Sequence, residues 1–173
     1  MINYMKKINI TGYKNIKRID PTKPQIRSSC NQNIQENNYT HEQQSTLVNQ
    51  LFMNEEFENK SDLLRELQKK INGYKQQDVK KHLFNTDFFI SLNQTIEKLV
   101  ISKLKCYYCR SSMLLFYKNI REPLQWTLDR INNDLGHYHD NVVICCLACN
   151  LKRRRTNADA FLFTKQLKIV KGT

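Results

Sequence analysis

Long apolar runs are missing from this chain. No stretch approaches the roughly 18–20 consecutive apolar residues of a membrane-spanning helix, so a membrane partner is not expected. The opening residues, Met1 to Ile10, carry lysines but no apolar stretch of about 7–15 residues, so a secretory leader is not expected either. The expected setting is therefore intracellular, cytoplasm or nucleus, where thiols stay reduced. Acidic residues are in short supply: 16 Asp+Glu stand against 28 Lys+Arg, a net charge of +12. A surplus of that size favours a polyanionic partner, because each neutralised phosphate releases counterions. From Val100 to Thr173 there are 13 Lys+Arg and 5 Asp+Glu, so most of the surplus sits in the C-terminal part. No internal repeat is visible, and 173 residues suffice for one domain of ordinary size with an appendage.

Residues 1–60 are polar and rich in Asn, Gln and Lys. They read as a mostly flexible arm that cannot bury enough apolar surface to offset its ordering entropy. Within it Leu47, Val48, Leu51 and Phe52 have helical spacing, enough for one or two amphipathic turns. Residues 61–104 read as a small helical layer. Ser61 is placed to cap a helix with Leu63, Leu64, Leu67 and Ile71 on one face, and Gly73 suits its exit. A second short helix is expected from Gln77 to Phe84. Thr86 is placed to cap a third, with Phe88, Phe89, Leu92, Ile96, Leu99, Val100 and Leu104 in one stripe. Beyond Lys105 the texture turns β-like, with candidate strands at Met113–Tyr117, Trp126–Ile131 and Asn141–Cys145. Helix is expected from Cys146 through Arg155, and a last helix follows a cap at Thr156 with Asp159 three residues on.

Cysteine usage is the sharpest signal. Cys106-Tyr107-Tyr108-Cys109 and Cys146-Leu147-Ala148-Cys149 are two Cys-x-x-Cys pairs. Two intervening residues let both sulfurs of a pair converge on one ion, and two pairs make the closed tetrahedral site of structural zinc. Such a site supplies folding free energy to a region with little apolar core. Cys145 lacks the three-residue offset to Cys149 and is expected to point into the core. Cys30 stands alone in the arm.

Between and after the pairs lie Gln125-Trp126-Thr127-Leu128-Asp129-Arg130-Ile131, Gly136-His137-Tyr138-His139-Asp140-Asn141, and Asn150 followed by Lys152-Arg153-Arg154-Arg155. Asp129 offers a hard oxygen suited to magnesium or manganese, and Asn150 a second, neutral one. Arg130 and the basic run Lys152, Arg153, Arg154 and Arg155 are suited to backbone phosphates.

With these residues in view, Lys105 to Arg155 resembles an HNH endonuclease of the zinc-bearing ββα-metal type, the subgroup that reads LDRI, G, DN and CxxCN in that order. The wider wording is also similar to uncharacterised proteins of large DNA viruses. The resemblance implies an α+β protein whose residues 105–173 form a treble-clef-like, zinc-bound nuclease domain with a C-terminal helix. It implies metal-dependent hydrolysis of phosphodiester bonds in nucleic acid, with DNA favoured, leaving 3′-hydroxyl and 5′-phosphate ends. Asp129 and Asn150 would hold the catalytic ion (Mg or Mn), Asn141 would tie the inter-strand loop, and Cys106, Cys109, Cys146 and Cys149 would hold Zn.

One position departs from the family. Where most members place a histidine directly after the metal-binding Asp, this chain has Arg130, and a guanidinium is a poor general base. Three outcomes stay open at this point. His137 or His139 swings in as the base; or metal or substrate activates the water while Arg130 clamps the phosphate; or the module binds nucleic acid without cutting it. The last is the alternative reading, a non-catalytic zinc-stabilised nucleic-acid-binding module.

Overall fold

The computed structural model describes residues 39–167 together with Asn9, Thr11 and Arg27. Most of the expected arm, Cys30 included, lies outside these residues. Five α-helices and one two-stranded sheet are described: α1 (His41–Phe52), α2 (Lys60–Lys80), α3 (Leu92–Ser102), β1 (Trp126–Arg130), β2 (Val142–Cys146), α4 (Leu147–Arg153) and α5 (Ala158–Gln166).

The chain becomes part of the fold earlier than its composition suggests. Thr40 and Gln43 form a reciprocal cap: Thr40 Oγ1 accepts from the Gln43 amide and Gln43 Oε1 accepts from the Thr40 amide. Helix α1 then runs three turns rather than one or two, buries Val48 and Leu51, and packs on α3. Its Gln44 is buried too. Gln44 Oε1 accepts the amides of Leu115 (2.8 Å) and Phe116 (3.2 Å), so a polar residue of α1 holds the segment expected to be a strand. Met113–Tyr117 forms no ladder. It makes a single isolated bridge among the described residues, Leu114 lying beside Gln125 in parallel sense.

The helical layer also differs in its boundaries. Gly73 does not end a helix; α2 passes through it for 21 residues and absorbs the first part of the expected second helix. A glycine inside a helix weakens it by only about 1 kcal/mol, and the burial of Ile71 and Tyr74 on either side outweighs that. Ser61 is not the cap; Asn59 in the left-handed region precedes the helix. Helix α3 starts at Leu92, capped by Ser91 with Gln94 in the reciprocal position, not at Thr86. Asn157, not Thr156, caps α5.

Strands β1 and β2 pair antiparallel, with Trp126 opposite Cys146, Leu128 opposite Ile144 and Arg130 opposite Val142. Helix α4 follows directly, so the order is hairpin then helix. A lone two-stranded hairpin is marginal in water, and its outer edge invites aggregation. Here the edge of β1 is covered by side chains. Trp126 O accepts from Lys70 Nζ, the Leu128 amide donates to Tyr74 Oη (3.1 Å), Leu128 O accepts from Asn150 Nδ2 (3.2 Å), and Arg130 O accepts from Arg153 Nη2 (2.5 Å). Lys70, Tyr74 and Asp78 lie four residues apart on α2, and they meet Trp126, Leu128 and Arg130, two residues apart on β1. The periods match. Four helical residues rise about 6 Å and two strand residues about 6.6 Å, so one face of α2 stays in step with alternate residues of β1.

Candidate metal centre and adjoining cleft

Cys106 and Cys109 come from the loop after α3, Cys146 from the end of β2 and Cys149 from the first turn of α4. Their four Sγ atoms lie within 4.8 Å of one another, with Cys109 and Cys146 3.9 Å apart. A tetrahedral site with bonds of about 2.3 Å requires sulfur–sulfur edges of about 3.8 Å. The four cysteines therefore fit a metal ion such as zinc. Their electrostatics agree. A hydrogen bond from Cys146 pulls Cys106 down to about 4, whereas that same contact pushes Cys146 up and burial pushes Cys149 up to about 12. Sulfurs packed this closely cannot all ionise without a cation between them. Cys145 points away from the cluster, fully buried, with its Sγ 3.3 Å from Thr127 Oγ1.

Asp129 sits opposite Val143 and is buried. Its carboxylate is engaged by Arg153, with Nε to Oδ2 at 2.6 Å and Nη2 to Oδ1 at 2.9 Å, and by the buried Tyr108 hydroxyl at 2.7 Å. This corrects the expected role of Arg153. Its side chain is 1% exposed, so it is not a phosphate-contacting residue but the ion-pair partner of Asp129. The physical reason is helix periodicity. Arg153 stands four residues after Cys149, so the face of α4 that presents the sulfur also buries the guanidinium. Asn150 donates through Nδ2 to Thr127 Oγ1 and Leu128 O, both at 3.2 Å. Its Oδ1 makes no hydrogen bond among the described residues.

A cleft of about 700 Å³ opens between the end of α2, the β1–β2 loop and α4. Asp129, Arg130, His137 and Asn150 all line it, with Lys81, Arg154 and Arg155 at its rim. Asn141 is close by but works on the backbone: its amide bridges Asn132 N, Asn132 O and Gly136 O at 2.9 Å each, closing the loop. Arg130 is held in the same loop, Nη1 donating to Leu135 O at 3.0 Å. Lys152 faces an adjacent groove with Arg121. His139 is paired with exposed Asp140 and does not line the cleft.

His137 has the most organised surroundings. Buried Asp78 accepts its backbone amide at Oδ2 (2.6 Å) and its ring Nδ1 at Oδ1 (2.7 Å). A carboxylate accepts and does not donate, so the proton sits on Nδ1 and Nε2 carries the lone pair. The Tyr74 ring lies 4.7 Å away, centroid to centroid. Burial lowers the His137 pKa below its ordinary value of 6.5, against the upward pull of Asp78, so the ring is neutral near pH 7. Nε2 has no hydrogen bond among the described residues, yet it is not sealed off, because Asn59 Nδ2 is the sole buried, partnerless side-chain nitrogen or oxygen there. Gly136 makes the approach possible. A Cβ on it would lie 2.5 Å from Leu83 O and 2.9 Å from Asp78 Oδ2.

Asp78 and Tyr74 are therefore site residues that the sequence reading did not single out. For Asp78 a signal existed: it continues the buried stripe of Leu67, Ile71 and Tyr74, and a carboxylate on such a stripe needs a partner.

Among the described residues no helix is long and apolar enough to cross a membrane. Over 74 residues, 43% of its length, the chain is 38% identical to an uncharacterised protein of Acanthamoeba polyphaga mimivirus. That stretch spans 12% of the viral protein. No family model matches the chain, and no solved structure does. These findings describe a mixed helical protein with a small hairpin, a cluster of four cysteines that could hold a metal ion, and a viral homologue.

Proposed function

We propose that this protein is a metal-dependent endonuclease of the HNH type that hydrolyses phosphodiester bonds in DNA. The observation that carries the reading is the cleft itself, which gathers Asp129, Asn150, Arg130 and His137 beneath a rim of Lys81, Arg154 and Arg155. The local order supports it: β1, β2 and α4 follow one another, Asp129 comes from the first strand, Asn150 from the helix, and cysteines clamp the base.

The donor set suits a magnesium- or manganese-sized ion. Among the described residues Asn150 Oδ1 has no partner, and Asp129 Oδ1 takes one hydrogen bond, from Arg153. Such ions use one or two protein oxygens and fill the remaining positions with water and phosphate oxygens. A bound ion would offset the negative charge that develops on the scissile phosphate. Arg154 and Arg155 line the cleft and would hold the nucleic-acid backbone, and Arg130 stiffens the loop that carries His137.

The test is nicking of supercoiled plasmid with magnesium or manganese, comparing wild type with Asn150→Ala and Asp129→Asn. Wild type is expected to nick and both variants to lose at least about 100-fold in rate, the scale of losing a transition-state electrostatic contact. A wild type inert on duplex, branched and single-stranded DNA ends the enzyme reading.

One observation favours a second reading, a zinc-stabilised module that binds nucleic acid without cutting. Asp129 is already neutralised by Arg153, and Arg130 stands where a base is usual. That module predicts salt-sensitive binding that survives Asp129→Asn in a protein with no nicking activity.

A further inference from the structure

The nuclease reading leaves a chemical gap, since the residue after Asp129 is an arginine and cannot accept a proton. We propose that His137 is the general base of this cleft and that Asp78, carried by α2 from outside the cysteine-clamped unit, is the residue that positions it. The inference rests on the nuclease reading and deepens it.

Three observations carry it. The first is the double contact: Asp78 holds the amide and the ring of one residue at 2.6 and 2.7 Å, which fixes both the backbone and the ring plane of His137. The second is the free end. The Nδ1 proton is committed to Asp78, so the lone pair is on Nε2, the nitrogen without a partner among the described residues. The third is company: His137 lines the same cleft as Asp129 and Asn150. Buried side-chain nitrogens in packing roles are as a rule hydrogen-bonded within the protein, and Nε2 has no such partner among the described residues. Gly136, whose missing side chain lets the loop close onto Asp78, completes the arrangement.

The step balances without further reactants. Water oxygen bonds to phosphorus as Nε2 takes its proton, and the bond from phosphorus to the 3′-oxygen breaks. The 3′-oxygen is protonated from solvent, and His137 returns its proton to solvent afterwards. Asp78 keeps its hydrogen bond to Nδ1 throughout, offsetting the positive charge that forms on the imidazole. The groups facing His137 are Asp78 and Lys81 from the α2 end, Arg130 from β1, and the Tyr74 ring. The two cations oppose a second positive charge and Asp78 favours it, so removing Asp78 moves the acid limb of the rate profile to lower pH.

Asp78→Asn is the informative change. An amide presents one acceptor and one donor end. It must either abandon the His137 backbone amide or donate to Nδ1, which moves the ring proton to Nε2 and removes the base.

The experiment uses the whole 173-residue chain, loaded with zinc, in single-turnover nicking of plasmid with magnesium, from about pH 5 to 9. Zinc content, melting temperature and DNA affinity are measured for each variant. His137→Ala is expected to lose at least about 100-fold in rate with DNA affinity within about threefold of wild type, and added imidazole is expected to restore activity in proportion to its free base. Asp78→Asn is expected to lose about 10–1,000-fold, with its acid limb displaced to lower pH. A folded His137→Ala that keeps wild-type rate, or one that imidazole does not restore, overturns the proposal. Should His137→Ala fail to hold zinc, His137→Gln and Asp78→Asn decide, and an unmoved acid limb in Asp78→Asn is the refuting result. An inert wild type defeats the nuclease reading and this inference with it. An active wild type with an indifferent His137 defeats this inference alone.

Discussion

Replacing Asp129 by alanine, the obvious test of a metal-binding acid, is expected to damage the fold before it reports on chemistry. Asp129 accepts three hydrogen bonds, two from Arg153 and one from Tyr108. Both donors are essentially inaccessible, at 1% and 0% exposure. Truncation leaves a buried guanidinium without its counter-charge, which costs about 3–5 kcal/mol. The orphaned tyrosine hydroxyl adds about 1–3 kcal/mol. Arg153 keeps its bonds to Arg130 O and Thr156 O, so the lower part of that range applies. A loss of about 4 kcal/mol in a chain of this size lowers the melting temperature by roughly 8–16 °C. The assay is thermal unfolding of wild type, Asp129→Ala, Arg153→Ala and the double variant. Since each single change strands the other partner, the double variant is expected to be less destabilised than the two singles added together, by about 2–3 kcal/mol. An Asp129→Ala protein melting within about 2 °C of wild type would refute the reasoning, because the pair would then carry no net stability at its burial. This is why Asp129→Asn, which keeps two acceptor lone pairs, is the better probe of activity.

Four further outcomes follow from the same geometry. Gly136→Ala is expected to cost about 2–4 kcal/mol and to detach His137 from Asp78, seen as a lower melting temperature with a more mobile His137 ring signal in NMR; wild-type stability would show that the loop relaxes freely. Chelation should remove about one zinc per chain and shift the emission of Trp126, the sole tryptophan, which sits opposite Cys146; unchanged emission after metal loss would refute a structural role. His137 has a lowered native pKa, so the unfolded chain binds the extra proton first; stability should therefore fall as pH drops below 6.5 toward that lowered value, and His137→Gln should flatten this slope in denaturant titrations. Arg154→Ala with Arg155→Ala should weaken DNA binding and reduce the slope of log affinity against log salt by roughly 2, a change that Lys75→Ala, outside the cleft, should not reproduce.

What the sequence determined by itself was local. Two Cys-x-x-Cys pairs are covalent rulers; two intervening residues bring sulfurs together whatever surrounds them, and the four do converge. The strand-forming run at Trp126 and the β-branched run at Val142 set the hairpin, and Asn141, placed between them, does tie its loop. Helical periodicity even contained the inward turn of Arg153, four residues after Cys149, although the four consecutive cations read as a phosphate-binding run. The tertiary structure decided the rest. Asp78 and His137 are 59 residues apart, and nothing along the chain links them. Their meeting depends on α2 running in step with β1, so that Lys70, Tyr74 and Asp78 meet that strand one after another. A polar side chain shows in sequence only that it needs a partner, since burial and pairing arise when two elements share an axis. The histidine that lines the cleft and the carboxylate that holds it in place are therefore separate on the chain and joined only by packing.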